Sequence, residues 1–181
     1  MGDANSVTTP AECSAHNIDD SVEPAQGIPY REAVGSLMYL TIATRPDIAY
    51  AVSRVSETLE NPTISNWKAV KRIFRYLKGS MDFGILYEKE SNDKLEAFSD
   101  ADYAGDLDTR RSRSGIVCKF KNGAISWSSR KQPCVVLSTM EAEYLAASEA
   151  VKELMWQKRL FLELLGQPGT PTVYIDNLNG I

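Results

Sequence analysis

Residues 95–106 read LEAFSDADYAGD, a stretch in which an alternating apolar pattern leads directly into a group of acids. Apolar residues alternate from Leu95 to Phe98, as in a half-buried strand, and three acids follow at Asp100, Asp102 and Asp106. The acids can belong to a solvated turn, because Asp and Gly are common turn residues. They can also be half of a metal site whose other carboxylates lie further along the chain.

The flanking sequence predicts a sheet, then a long helix, then a last strand. A helix is predicted from Ser138 to Leu165, since Glu141 stands three residues after Ser138 as in a capping box. An Asn-Gly pair at 122–123 is a hairpin signal. The predicted strands are FGILYEKE (83–90), KLEAFSD (94–100), SGIVCKFK (114–121), GAISWSS (123–129) and TVYID (172–176).

The residues before this region predict a small helical unit. Residues 1–29 are polar and Pro-containing and indicate a flexible linker, whereas 30–81 hold three helical patterns separated by prolines. The third pattern opens at a candidate cap, Ser65, and closes at Gly79. One face of this third helix is basic, which is typical either of a solvated face or of phosphate contact. Its cations are Lys68, Lys71, Arg72, Arg75 and Lys78.

Composition excludes several classes of protein. The net charge of −4 provides no overall attraction to nucleic acid, so any such binding must come from local patches. The single histidine, His16, leaves no Ser-His or Cys-His dyad in the body of the chain. The three cysteines match no metal motif or disulfide framework, which favours a reducing compartment. No long apolar run or signal peptide is present, so we expect an intracellular protein, cytoplasmic or nuclear, that is not secreted and does not bind membranes.

Three acids occupy positions that a mixed sheet could bring together. Asp100 and Asp176 end two predicted strands, and Glu143 lies near the start of the long helix. Glu143 shares its helix face with small apolar residues, whereas Glu141 lies on a more polar face and is expected to cap the helix. Strand alternation cannot separate Asp100 from Asp102, and Asp100 is preferred because Asp102 is expected in the following turn. Oxygen ligands without His or Cys suit Mg²⁺ or Mn²⁺, and two such ions can hydrolyse phosphodiesters.

Long motifs carry a family resemblance at this point. FSDADYAGDLDTRRSRSG, ISWSSRKQ, LSTMEAEYLAASEAVKELMW and VYIDN resemble the ribonuclease H region of copia-type retrotransposon Pol polyproteins. VGSLMYLTIATRPDIAYAVSR and WKAVKRIFRYLKG resemble the segment that joins reverse transcriptase to ribonuclease H in those proteins. The resemblance covers nearly everything from Tyr30 onward.

The resemblance implies an α/β protein (an α+β mixed sheet) with a ribonuclease-H-like fold over 82–181, after a reverse transcriptase connection segment over 30–81. It implies hydrolysis of the RNA strand of RNA–DNA hybrids during reverse transcription with two Mg²⁺ or Mn²⁺ ions. Asp100, Glu143 and Asp176 would be both the catalytic residues and the metal ligands. The implied partners are the hybrid and the remainder of the polyprotein, including reverse transcriptase and integrase.

Against that family the chain is expected to be a C-terminally truncated fragment with impaired activity, since the family continues with another helix, a strand and a last His/Asp motif. Two alternatives to an active nuclease are an inactive transposon remnant and a non-catalytic nucleic-acid-binding module. Cations outside the third helix are also expected to contact phosphate: Arg110, Arg111, Arg113, Arg130 and Lys131. Trp127 and Trp156 are expected in the core.

Overall fold

A computed structural model describes residues 4–12, 23–25, 27–90, 94–106, 109–166 and 170–176. Two compact units divide the chain, Met1–Gly84 and Ile85–Ile181, whereas the sequence predicts the boundary between residues 81 and 82. The helices are α1 (Tyr30–Ala43), α2 (Ala49–Ser56), α3 (Ile64–Gly79) and α4 (Thr139–Leu165), with a short 3-10 helix at Pro46–Ile48. The strands are β1 (Leu95–Asp102), β2 (Arg113–Phe120), β3 (Gly123–Lys131) and β4 (Thr172–Ile175).

Helices α1 to α3 form the first unit around their own apolar core. The buried side chains include Val34 and Leu37 of α1, Val52 of α2, and Val70 and Ile73 of α3. They recur every three or four residues along each helix, so each helix turns one apolar face inward. The three-helix prediction is thereby confirmed.

The start of α3 differs from the prediction. The N-cap is Thr63 rather than Ser65, because the Thr63 hydroxyl accepts a hydrogen bond from the Asn66 amide at 3.2 Å. The Asn66 side chain in turn accepts from the Thr63 backbone N–H at 2.8 Å. Asn66 therefore completes a capping box in the position that Glu or Gln usually holds.

An ion pair between the buried Arg45 and the partly exposed Asp47 ties the loop after α1 to the end of α3. The Arg45 guanidinium donates to the Asp47 carboxylate at 2.7 Å and to the Ser80 carbonyl at 3.0 Å. The Tyr76 hydroxyl also donates to Asp47, at 2.7 Å. Burial opposes ionisation of Asp47, but the hydrogen bonds from Arg45 and Tyr76 outweigh it and lower its pKa.

The second unit is built on a mixed four-stranded sheet in the order β3-β2-β1-β4. Strand β2 runs antiparallel to β1 and β3, and β4 runs parallel to β1. The predicted α+β class is thereby confirmed. The predicted hairpin also forms, but Lys121 and Asn122 are its left-handed central residues, and Gly123 begins β3. A Cβ atom on Gly123 would collide with the Tyr87 ring, which explains a glycine there.

The first predicted strand, FGILYEKE (83–90), is wrong. These residues lie outside the sheet, and the Glu88 amide donates to the Lys121 carbonyl of the β2–β3 hairpin at 3.0 Å. The apolar side chains that suggested a strand are exposed, with Phe83 63% and Leu86 73% accessible. An alternating apolar pattern does not show whether a segment has a neighbouring strand to pair with.

Helix α4 covers one face of the sheet; it ends at Leu165 as predicted and begins at Thr139, with the predicted first residue, Ser138, as its N-cap. Ala150 and Leu154 of α4 pack against Leu95 and Ala97 of β1 and against Cys118 of β2. Burial, with the Glu153 carboxylate nearby, raises the pKa of the Cys118 thiol to about 11, so this cysteine is a packing residue.

The predicted core position of Trp156 is wrong, because this residue of α4 is 59% exposed. Trp127 is partly buried in β3.

Candidate active site and nucleic-acid surface

The side chains of strand β1 alternate between the two faces of the sheet. Leu95, Ala97 and Ser99 are buried, whereas Asp100 and Asp102 are exposed on the opposite face from α4. The Asp100 carboxylate accepts a 2.8 Å hydrogen bond from the Ala101 amide. Asp102 also belongs to β1, so its predicted place in a turn is wrong, and both acids have the same orientation.

The parallel pairing of β4 with β1 sets Asp176 beside Asp100. Ser99 is paired with Ile175; Asp100 follows Ser99 within β1, and Asp176 follows Ile175, the last residue of β4. The preceding pair, Phe98 and Tyr174, stacks ring on ring with centroids 4.9 Å apart on the same face. Adjacent strands lie about 4.8 Å apart, so the register makes Asp100 and Asp176 neighbours at the carboxyl ends of two parallel strands.

The two glutamates near the start of α4 have different surroundings. Glu141 is exposed and accepts a hydrogen bond from the Leu137 amide at 2.7 Å, while its own amide donates to Ser138 Oγ at 3.1 Å. Glu143 is partly buried, and its Oε2 is a buried oxygen with no hydrogen-bond partner. A buried carboxylate oxygen without a donor is costly unless a proton, water or cation satisfies it.

A buried glutamine that no sequence motif reveals connects the sheet to α4. Gln132 is 2% exposed, and its Nε2 donates to Ser114 Oγ of β2 at 3.0 Å and to the Ala142 carbonyl of α4 at 2.9 Å. Ala142 immediately precedes Glu143, so Gln132 fixes the backbone that presents this acid. A buried polar side chain just after a strand gives no periodic signal, which is why only the fold reveals it.

Two further buried oxygens near these elements are unsatisfied. They are Ser99 Oγ, on the α4 side of β1, and Gln132 Oε1. Within the described ranges, however, no three His, Cys, Asp or Glu side chains are grouped closely enough to hold a metal ion. The paired residues Ser99 and Ile175 are followed by Asp100 and Asp176, and Glu143 Oε2 on α4 is a buried oxygen without a hydrogen-bond partner. His16 lies outside the described residues.

Asp106, the third acid of the opening stretch, organises a turn. Its Oδ1 accepts from both the backbone N–H and the hydroxyl of Thr109 at 2.7 Å, and its other oxygen forms an ion pair with Lys131. Burial opposes ionisation, but these hydrogen bonds prevail and hold the pKa of Asp106 well below its usual range. For Asp106 the turn interpretation is the correct one.

The predicted phosphate contacts of the second unit fall into two groups. Arg110, Arg111 and Arg130 are exposed, so their guanidinium groups are accessible. Arg113 is only 6% exposed within β2, and Lys131 is paired with Asp106. Arg113 and Lys131 are therefore engaged within the fold, by burial and by an ion pair respectively. Exposed guanidinium groups remain at Arg110, Arg111 and Arg130.

The basic face of α3 is partly covered by the start of the chain. Arg72 donates to the Thr9 carbonyl at 3.2 Å and to the Glu12 carboxylate at 2.8 Å. Arg75 donates to the Asn5 carbonyl at 2.6 Å, and Lys78 to the Ala4 carbonyl at 3.0 Å. Residues 4–12 of the predicted linker thus contact α3. Of the other two cations, Lys68 is exposed and Lys71 half-buried.

Several known proteins are similar to the chain. It is 49% identical over 154 residues to the retrovirus-related Pol polyprotein from transposon TNT 1-94 of Nicotiana tabacum, covering 85% of the chain and 12% of that protein. It is 41% identical over 178 residues to the retrovirus-related Pol polyprotein from transposon RE2 of Arabidopsis thaliana, covering 97% of the chain and 12% of that protein. The chain therefore spans about an eighth of the length of these relatives.

A third relative is not named as a Pol polyprotein. The secreted RxLR effector protein 161 of Plasmopara viticola is 44% identical over 131 residues, which cover 72% of the chain and 92% of that protein. No protein-family model matches the chain, and no solved structure matches it. In the described part of the chain, no helix has the length and apolar character needed to cross a bilayer.

Proposed function

The chain belongs to the family of retrovirus-related Pol polyproteins from copia-type transposons, and from this premise we propose that residues 82–181 are a ribonuclease H domain. The domain would hydrolyse the RNA strand of RNA–DNA hybrids during reverse transcription. It would act as part of the polyprotein, together with its reverse transcriptase and integrase.

One observation carries this proposal, namely the register of Asp100 and Asp176. Two carboxylates at the ends of adjacent parallel strands, exposed on one face, repel each other unless a cation lies between them. Their oxygens are the ligands that Mg²⁺ and Mn²⁺ prefer. The unsatisfied Glu143 Oε2 adds a third acceptor of the same chemical type.

Each residue has a distinct task in this proposal. Asp100 and Asp176 would hold Mg²⁺ or Mn²⁺ near the carboxyl ends of β1 and β4, and Glu143 would complete the ligand set from the α4 side of those strand ends. Bound there, the ions would activate a water molecule and neutralise charge on the phosphate. Gln132 would keep the first turn of α4 in place through its bond to the Ala142 carbonyl. Arg110, Arg111 and Arg130, being exposed, would contact the hybrid backbone.

A non-catalytic binding module is the second candidate. It is favoured by the absence of a grouped set of three ligands among the residues that the structure describes. A module of this kind would bind hybrids through its cations without cleaving them.

Cleavage of a labelled RNA–DNA hybrid in Mg²⁺ and in Mn²⁺ distinguishes the two candidates. We expect Asp100→Asn, Glu143→Gln and Asp176→Asn each to reduce the cleavage rate by more than the ~10–100-fold that loss of an outer-shell partner costs. Hybrid affinity should change little, because phosphate contacts dominate it.

Asp102→Asn is the matched control, since Asp102 lies on the same face of the same strand, and Glu141→Gln tests the choice between the helix acids. Both should cleave at close to the unsubstituted rate. Hybrid binding without cleavage in either metal would replace the nuclease by the binding module.

We also propose an intracellular site of action. Both described cysteines, Cys118 and Cys134, are free, which is typical of reducing compartments. Fractionation of cells that express the tagged chain tests this proposal. Recovery of the chain from the medium would contradict it, and this outcome is examined because one relative is named as a secreted protein.

A further inference from the structure

Residues 4–12, the N-terminal strap, bind α3 by two kinds of contact. Polar contacts join the strap to three cations, as described above. Apolar contacts fix its position, because Val7 and Ala11 pack against the core of the helical unit. Gly79 at the end of α3 faces Ser6 so closely that an added Cβ would lie 2.8 Å from the Ser6 Cβ. The strap therefore has a defined register on the helix.

The acceptors of the strap resemble a nucleic-acid backbone in chemistry. Arg72, Arg75 and Lys78 donate to oxygens of the strap, namely three carbonyls, the Thr9 hydroxyl and the Glu12 carboxylate. Phosphate oxygens are acceptors of the same class with more negative charge. A phosphate backbone and the strap would use the same donors, so the two cannot occupy them together.

The polar contacts between the strap and the three cations are weak enough for phosphate to displace them. All five bonds to the cations are solvent-exposed, and Glu12 supplies the one carboxylate among them. Exposed ion pairs contribute little to stability, because solvent screens them. Neutralising a nucleic-acid phosphate also releases condensed counterions, a gain that the strap cannot offer.

We propose that the N-terminal strap is an intramolecular competitor for the phosphate backbone of duplex nucleic acid on the basic face of α3. With the strap in place, the side chains of Arg72, Arg75 and Lys78 are withheld from the ligand. With the strap displaced, they bind phosphate. The inference rests on the proposed function only in taking nucleic acid as the ligand.

A reversible crosslink tests this in the full chain. Ser6→Cys with Gly79→Cys would lock the strap when oxidised, after a small shift toward the ~3.8 Å Cβ separation of disulfides, and release it when reduced. Cys13→Ser and Cys134→Ser prevent other pairing. The dissociation constant for a fluorescent RNA–DNA hybrid is then measured by anisotropy over a range of salt concentrations, with and without reductant.

We expect the reduced form to bind more tightly than the oxidised form. Its log–log salt slope should be steeper by ~0.9 for each further phosphate that the protein neutralises, and Arg72, Arg75 and Lys78 can each neutralise one. The single Ser6→Cys variant, treated identically, should show no redox difference. Equal affinity and slope in the oxidised and reduced forms would overturn the inference.

Glu12→Gln provides a second test that needs no crosslink. It removes the carboxylate while leaving Val7 and Ala11 in place, so the fold should persist. Hybrid affinity should rise by about two- to five-fold, as expected for loss of one exposed ion pair, and unchanged affinity would count against competition. Cleavage by the reduced chain is scored separately: a redox effect on binding without cleavage keeps the strap inference and rejects the nuclease.

Discussion

At the scale of single residues, the ion pair of Arg45 and Asp47 shows how burial and hydrogen bonding set a charge. Asp47 is held ionised by Arg45 and Tyr76, so its folded-state pKa lies below its unfolded value of about 3.8. A group of this kind stabilises the fold fully above its unfolded pKa. The contribution is lost as pH falls from about 4 through the folded-state pKa.

Asp47→Asn should therefore reduce both stability and its pH dependence. We expect the free energy of unfolding of the helical unit to fall by about 1–3 kcal/mol at neutral pH, because Arg45 keeps its burial but loses its ion-pair partner. Below pH 4 the difference from the unsubstituted chain should shrink. Urea titrations at several pH values measure it, with Asp82→Asn, at an exposed position, as the control. A pH-independent difference would contradict the linkage.

Some residue positions follow from sequence and others do not. The helix-face comparison separates Glu143 from Glu141, because the periodicity of a helix is local information. Arg111 and Arg113 look alike in RSRSG, yet Arg113 is buried and Arg111 exposed. Burial of Arg113, like the role of Gln132, depends on which strands and helix meet there, and residues distant in sequence determine that.

At the scale of elements, the cap of α4 decides how firmly its first turn is held. Ser138 accepts from the Glu141 amide, and Glu141 accepts from the Leu137 amide. Both bonds depend on the same backbone conformation of residues 137–141. Removing either side chain should therefore weaken the other bond.

Ser138→Ala should lower the free energy of unfolding by ~0.5–2 kcal/mol. Glu141→Ala should lower it as well, and the double substitution should cost less than the sum of the two. Thermal or urea unfolding of the three variants gives the coupling. Glu163→Ala, at an exposed position in the last turns of α4, is the matched control and should be nearly neutral. Fully additive effects would mean that the two bonds act independently.

Element types were predictable where the pattern was long, and element ends were not. The 27-residue α4 matches its predicted bounds to within one residue, because both caps are strong local signals. The α3 cap is misassigned because Thr63 and Ser65 are both acceptable caps, and only Asn66 decides between them. The segment 83–90 has a strand pattern but no neighbouring strand to complete a ladder.

At the scale of the whole molecule, the two units have separate cores. The buried cluster of the helical unit and the cluster between α4 and the sheet share no residue. Destabilisation of one core need not spread to the other, since each unit buries its own apolar faces.

Ile73→Ala and Leu154→Ala test this separation as a pair. Each should cost about 2–5 kcal/mol by leaving a cavity in one core. Amide hydrogen exchange should accelerate by about 30-fold or more, the factor that 2 kcal/mol gives. The acceleration should appear in α1 to α3 for Ile73→Ala and in the sheet and α4 for Leu154→Ala. Equal acceleration everywhere would indicate one cooperative unit.

The strap has a consequence for how such chains diverge. Three of its five bonds to α3 use the backbone carbonyls of Ala4, Asn5 and Thr9, which every amino acid possesses. Most substitutions within residues 4–12 would leave those acceptors in place, whereas substitution of Arg72 or Arg75 would remove the donor. We therefore expect the strap to tolerate extensive drift while its partner helix does not. A contact made through the main chain can persist between relatives whose sequences no longer resemble each other there.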